Sequence, residues 1–372
     1  MYWFETVGAA VAGFQSDNGR RLDIFLFTTR HPVSPGEQVR PMRRVYCSMK
    51  PPRIVFVLAV IILLATGAYS RAGKSEKSSP SSESVEGFLG RWDLTLKGPD
   101  REYPSWLELR QEGGQLKAQM VGRWGSARTL PKVEFSNGHL AFVSPKEEED
   151  RPDDMVFEGT LVGNILLGTT TGPNGTTWQW TGQRAPALKR SAAPEWGKPI
   201  HLLNGKDLAG WRMLNPGAVG WIVENGNLIS PGNGPELIND SKFQDFKLHV
   251  EFNCPADSNS GVYLRGRYEV QVETDSIKDP PSHRMGGVYG FLAPSPEPPR
   301  RPGEWQSFDI TLIGRWITVV QNGRTTIDNQ EIPGITGGAL DSHEELPGPI
   351  YLQGSEKGHV AYRNIVITPA RN

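Results

Sequence analysis

An all-β protein is the fold class this sequence predicts, and three observations predict it. Apolar and polar residues alternate with period two in run after run from residue 85 onward. Gly-Gly and Asn-Gly pairs, the tight-turn signals of hairpins, separate these runs. Glycine and proline are abundant, 42 and 30 of 372 residues, and no long apolar run at helical spacing follows Ser84. In detail, the pattern predicts a small meander β-barrel followed by a jelly-roll β-sandwich, behind an N-terminal signal peptide.

The signal comes first. Arg43, Arg44, Lys50 and Arg53 precede the apolar run Ile54 to Ala65, and small residues follow it. The apolar run is shorter than the ~20 residues of a spanning helix. Residues 42–72 therefore read as a secretory signal, and the mature protein as exported, periplasmic or extracellular. An uncleaved anchor is the alternative, with membrane contact only through this segment. Residues 1–41 read as a spurious upstream extension, since Met42 and Met49 are both sensible starts. Residues 73–84, rich in Ser and Lys, read as a flexible linker. Cys47 lies in the leader, so Cys254 is the one cysteine of the mature chain and reads as a buried small hydrophobe. The charge balance, 40 Lys+Arg against 41 Asp+Glu, argues against a nucleic-acid partner.

Residues 85–184 carry the barrel. Leu107 and Leu109 alternate with Glu108 and Arg110, Gly113-Gly114 makes a turn, and Leu116, Ala118 and Met120 return on the same face. Ser136-Asn137-Gly138 and Pro173-Asn174-Gly175 mark further turns. A Gly-x-Trp at Gly90 to Trp92 opens the segment and Arg184 closes it, which resembles the lipocalin-like barrels. That resemblance implies a cation–π contact of Arg184 on Trp92 at the closed end. The sequence assigns this barrel no chemistry.

Residues 185–198 are a Pro- and Ala-containing linker, and residues 199–372 are again all-β. Asn225-Gly226 and Asn322-Gly323 are hairpin turns, and Phe246, Leu248, Val250 and Phe252 alternate with Lys247, His249 and Glu251. Many short strands with two-faced alternation fit a two-sheet sandwich. Read as one strand, Asn259 to Asp275 puts Val262, Leu264, Tyr268, Val270 and Val272 on one face. Tyr263, Arg265, Arg267, Glu269, Gln271 and Glu273 then fall on the other. Such a polar row is either a solvated face laced with ion pairs or the floor of a site.

Five phrases in this region, in order, carry a resemblance: HLLNGKDLAGW, GWIVENGNLISPG, FKLHVEFNCPADSNSGVYLRGRYEVQV, GEWQSFDITLIGRWITVVQNG, and YLQG with YRNIVI. Together they resemble the 3-keto-disaccharide hydrolase family. The resemblance implies a concanavalin-like jelly roll that cleaves disaccharides oxidised at carbon 3 of one sugar, and hence a small carbohydrate as partner. The family often reads Leu-Gln followed by Asp-His; here Leu352-Gln353 is followed by Gly354-Ser355-Glu356-Lys357-Gly358-His359. His359 and Glu356 are the candidate substitutes.

A 3-keto sugar needs a base near C2, a donor for the enolate oxygen and an acid for the leaving oxygen. The expected catalytic set is Glu269 as base, Arg265 as oxyanion stabiliser and His283 as acid. The expected substrate-binding set is Tyr263, Gln271, Glu273, Tyr289 and Gln353. Glu269 and Glu273 fit a conventional carboxylate pair poorly. Four residues of regular strand span roughly 13 Å, whereas retaining pairs need ~5–5.5 Å and inverting pairs ~6.5–9.5 Å. No cofactor motif is present. A divalent metal would polarise an enediolate. No His pair has zinc-like spacing, and His249, Glu269 and His283 would have to converge in three dimensions. The other reading of the chain is a carbohydrate-binding protein of the cell envelope that cleaves nothing.

Overall fold

The computed structural model describes residues 84–371, apart from 124, 147–151, 173–174, 216–219, 275–277 and 356–357. The signal segment, the residues before it and nearly all of the first linker lie outside the described residues, as does Glu356.

The first sheet is an antiparallel meander. Its strands are β1 (Gly90–Lys97), β2 (Glu102–Glu112), β3 (Gln115–Val121), β4 (Arg128–Thr129), β5 (Lys132–Ser136), β6 (His139–Ser144), β7 (Met155–Val162), β8 (Ile165–Thr171) and β9 (Thr177–Arg184). They hydrogen-bond in the order β4-β3-β2-β1-β9-β8-β7-β6-β5. Gly113 and Gly114 both take positive φ, as do Asn137 and Gly138, the left-handed pairs that two-residue hairpins require. Side chains fill the interior, among them Trp92, Leu107, Phe142, Phe157 and Trp180. Trp180 seats against Gly159 and Gly168, where a Cβ would lie 2.6 and 2.4 Å from the indole. At one end the Arg184 guanidinium lies 3.8 Å above the Trp92 ring and donates to the carbonyls of Gly87 and Leu89. These carbonyls come from a single 3-10 turn, Val85–Gly87, and the residues after it.

The second half has two sheets. Its strands are β10 (Ile200–His201), β11 (Trp211–Met213), β12 (Ile222–Glu224), β13 (Asn227–Ser230), β14 (Leu237–Asn239), β15 (Phe246–Asn253), β16 (Asn259–Leu264), β17 (Tyr268–Glu273), β18 (Trp305–Ile313), β19 (Trp316–Gln321), β20 (Arg324–Glu331), β21 (Tyr351–Leu352) and β22 (Val360–Pro369). One sheet runs β12-β13-β22-β15-β18-β19-β20, with β10 added on β22; the other runs β11-β14-β21-β16-β17. The core takes Leu248, Val250 and Phe252 from the first and Leu237, Val262, Val270 and Leu352 from the second. Cys254 is fully buried in it.

The run from Asn259 to Glu273 is a hairpin rather than one strand. Leu264 pairs with Tyr268, and Arg265-Gly266-Arg267 turn between them, with φ of 54° at Arg265 and 67° at Gly266. A three-residue turn places residues four apart opposite each other. Period-two parity therefore passes through it unbroken, and the alternation reads as continuous.

The outer face of β1 meets the second half of the chain. Arg91 donates to Glu331 at 2.9 Å, Thr95 shares a hydrogen bond with Ser342 at 2.6 Å, and Asp93 hydrogen-bonds Glu344. Trp106, opposite Asp93 on β2, packs edge-on against Phe291 with ring centroids 5.3 Å apart. It also covers Gly334, where a Cβ would sit 2.2 Å from the indole nitrogen. Glu344 is fully buried. It accepts from the Tyr268 hydroxyl at 2.6 Å and from Arg315 at 3.3 Å. Burial, and then the Glu344 carboxylate beside it, push Asp93 up to about 10, so Asp93 keeps its proton at neutral pH and donates it to Glu344.

Candidate functional site

The polar face of the five-stranded sheet is laid out by its register. Tyr351 on β21 stands opposite Tyr263 on β16, which stands opposite Glu269 on β17. Val288 bridges Val270, and the Tyr289 amide donates to the Glu269 carbonyl at 3.1 Å, so Tyr289 extends this row past the sheet edge. The neighbouring row holds Gln353, Gly261 and Gln271. Gly261 pairs with Gln271, and the Gln353 amide donates to the Gly261 carbonyl at 2.9 Å.

The Glu269 carboxylate lies over Gly261, where a Cβ would stand 2.1 Å from Oε1. Only glycine leaves room for it there. The Tyr263 hydroxyl reaches Glu269 Oε2 at 2.9 Å and the Gly337 carbonyl at 2.7 Å. Burial, and then the Glu269 charge, hold the Tyr263 phenol well above its usual range, so it acts as a donor and keeps its proton. Thr336 supports the same strand, accepting from the Glu269 amide at 3.0 Å. Gln353 Oε1 is buried and has no hydrogen-bond partner among the described residues. An unmet acceptor beside a positioned carboxylate is what a site for a hydroxylated ligand would contain.

The expected site residues divide. Tyr263, Glu269, Gln271, Tyr289 and Gln353 come together on one face. Tyr263 is no open stacking platform, because Tyr351 covers it with ring centroids 4.3 Å apart. Glu273 lies one step further along β17, and Gln271 Nε2 donates weakly to it at 3.5 Å. The register of β17 is unbroken, so nothing shortens the gap between Glu269 and Glu273. His283 ends a 3-10 turn, Pro281–His283, with its ring 4.5 Å from Tyr289. Burial lowers its pKa against the opposing pull of Asp279. The imidazole is therefore neutral at neutral pH, which fits a base or relay better than the expected acid.

Arg265 is a correction. It belongs to the turn, and its guanidinium points to the core side, away from the Glu269 face. It stacks 5.0 Å from the Tyr268 ring centroid and donates to the Tyr268 hydroxyl at 2.8 Å and to the Gly314 carbonyl at 3.0 Å. It ties the hairpin end to the Glu344 cluster and makes no contact with the Glu269 carboxylate.

Tyr351 and Gly261 went unassigned in the sequence. Tyr351 stands two residues before Gln353, so the strand period alone puts both on one face; Gly261 carried no comparable signal. His249 bonds Asp309 at 2.7 Å on the other sheet and does not join Glu269. Among the described residues no three His, Cys, Asp or Glu side chains gather as a metal site. His359 is exposed.

Residues 198–368 match the model of a family described as the 3-keto-alpha-glucoside-1,2-lyase-like domain. This part of the chain is similar to that family. Three solved structures from Parabacteroides distasonis, each of a protein provisionally named a glycosyl hydrolase, are also similar. One is 27% identical, covering 53% of this chain and 98% of its own, with a TM-score of 0.39. A second is 24% identical over 46% and 98%, with a TM-score of 0.36. The third is 20% identical over 46% and 94%, with a TM-score of 0.39. No protein of curated function matches. The matched residues contain every expected site residue; the first sheet lies outside them.

Proposed function

We propose that the chain is an exported enzyme that cleaves the glycosidic bond of 3-keto-disaccharides and related 3-keto-glycosides. The observation that carries this reading is the Glu269 carboxylate over Gly261, oriented by Tyr263 and flanked by Gln271 and the unpartnered Gln353 oxygen. A ketone at C3 acidifies the C2 proton. Glu269 accepts that proton, and the electron pair delocalises onto the C3 oxygen. On this reading the Gln271 and Gln353 side-chain amides donate to that enolate oxygen. The pair then returns to form the C1–C2 double bond as the C1–O bond breaks, and the leaving oxygen takes up a proton. The family's description as a 1,2-lyase names this elimination. Water added across the double bond then completes a net hydrolysis. On this reading Tyr289 and His283, next to Glu269 at the sheet edge, relay the leaving-group proton.

The two sheets of residues 199–372 are read as a concanavalin-like jelly roll. Residues 42–72 are read as a secretory signal that sends the protein to the periplasm or beyond. A non-catalytic carbohydrate-binding role is the second reading, favoured by the YLQGSEKGH loop, which departs from the family's Asp-His pattern. The two separate on incubation with 3-keto-trehalose and 3-keto-sucrose, with unoxidised sugars as controls, following free sugar by chromatography. Cleavage of the keto sugars alone, lost in Glu269→Gln, supports the enzyme. Binding by calorimetry without turnover supports the binding protein.

A further inference from the structure

The first sheet contributes no residue to the Glu269 row, yet its rim stands beside it. Trp92 and Arg184 close one end of the barrel. The opposite end of β1 leads to Tyr103, which stacks on Trp178 with centroids 5.6 Å apart and planes within 6°. Arg101 lies 4.8 Å from the Tyr103 ring centroid and Arg123 lies 5.2 Å from it. This rim forms one wall of a crevice of about 360 Å³ whose other wall includes Tyr351, Glu236 and Leu340. That volume is in the range of small-molecule sites.

The crevice adjoins the Glu269 row. Tyr351 lines it and also stacks on Tyr263, whose hydroxyl bonds Glu269. From Tyr351 to Glu269 is two strand spacings, roughly 10 Å, the scale of one sugar unit joined to the next. Burial, and then the Glu236 and Glu269 carboxylates, push the Tyr351 phenol well above its usual range, and Arg101 on the first sheet opposes them. The ionic side chains of the lining cancel: Arg101 and Arg123 against Glu102 and Glu236. A balanced lining with aromatic edges suits an uncharged, hydroxylated ring better than an anionic one.

We propose that the barrel rim and the lyase-like domain together form a subsite for the departing half of the substrate, a neutral sugar ring, with Arg101, Tyr103 and Arg123 on the barrel side. The inference rests on the reading of Glu269 as the cleaving group and assigns the first domain a direct share in substrate choice.

The test compares two substrates on the full chain. 3-Keto-trehalose has a sugar as leaving group; 3-keto-α-glucosyl fluoride loses only fluoride and leaves the crevice empty. Arg101→Ala trims the rim, and Asn215→Trp fills the crevice from an exposed loop position. Each variant is expected to lower kcat/KM for 3-keto-trehalose about tenfold, mainly through KM, and to leave the fluoride unchanged. Equal effects on both substrates, or none on either, overturn the subsite while the reading of Glu269 stands. If the wild-type chain turns over neither substrate, the reading of Glu269 fails and the subsite falls with it.

Discussion

Replacing Asp93 with Asn should stabilise the protein, by an amount that depends on pH. The carboxyl is 5% exposed, hydrogen-bonds Glu344, and has its pKa raised from 3.8 to about 10. In the unfolded chain the same group ionises near 3.8. The folded state therefore holds a proton that the unfolded state releases, and stability falls as pH rises between these two values. At pH 7 the difference from 3.8 is 3.2 pH steps, and at ~1.4 kcal/mol per step folding is opposed by about 4 kcal/mol. At pH 5 the same arithmetic gives about 2 kcal/mol. Neither figure depends on the exact folded value so long as it lies well above 7. Asn keeps the shape, can donate its amide to Glu344, and has no proton to lose. Chemical denaturation of wild type and Asp93→Asn at pH 5, 7 and 9 measures the difference. The variant should gain about 2 kcal/mol at pH 5 and about twice that at pH 7. A gain that does not change with pH, or a loss at every pH, would refute the shared proton.

Other expectations are sharper for activity. Gly261→Ala puts a Cβ 2.1 Å from Glu269 Oε1. It should lower kcat about 100-fold with the thermal transition little changed, since displacing a reacting group by ~1 Å costs about that much; unchanged turnover would remove Glu269 from the chemistry. Tyr263→Phe removes the donor to Glu269 and should lower kcat more than it raises KM, read by steady-state kinetics. Arg184→Ala removes the cap on Trp92 and two bonds to backbone carbonyls, and should cost about 2 kcal/mol in urea unfolding. Cys254 is fully buried, so it should react with a thiol reagent only after unfolding; fast native reaction would contradict its place in the core.

Much of the fold could be read from the chain because strands and tight turns are local. The alternation at Phe246 to Phe252 and the Asn-Gly pairs at 137, 225 and 322 each depend on neighbours a few residues away, and the structure has them as expected. The Arg184 contact with Trp92 was legible from a short motif at each end of residues 85–184. Within the site, Glu269, Gln271 and Tyr263 share a face because period two is a property of the backbone. Arg265 was misplaced for the same reason, since a three-residue turn preserves that period. What the chain did not disclose depends on distant partners. Asp93 meets Glu344 across 251 positions, and Tyr351 and Tyr103 line one crevice across a comparable gap. No local pattern marks either pair.

In the proposed reaction Glu269 removes the C2 proton. Turnover of 3-keto-trehalose in deuterated water, with the product examined by NMR, tests it most directly. Elimination followed by hydration predicts deuterium at C2 of the released 3-keto sugar, at a rate matching turnover, with both lost in Glu269→Gln. A product formed at full rate that still carries protium at C2 would contradict the account and indicate direct displacement at C1.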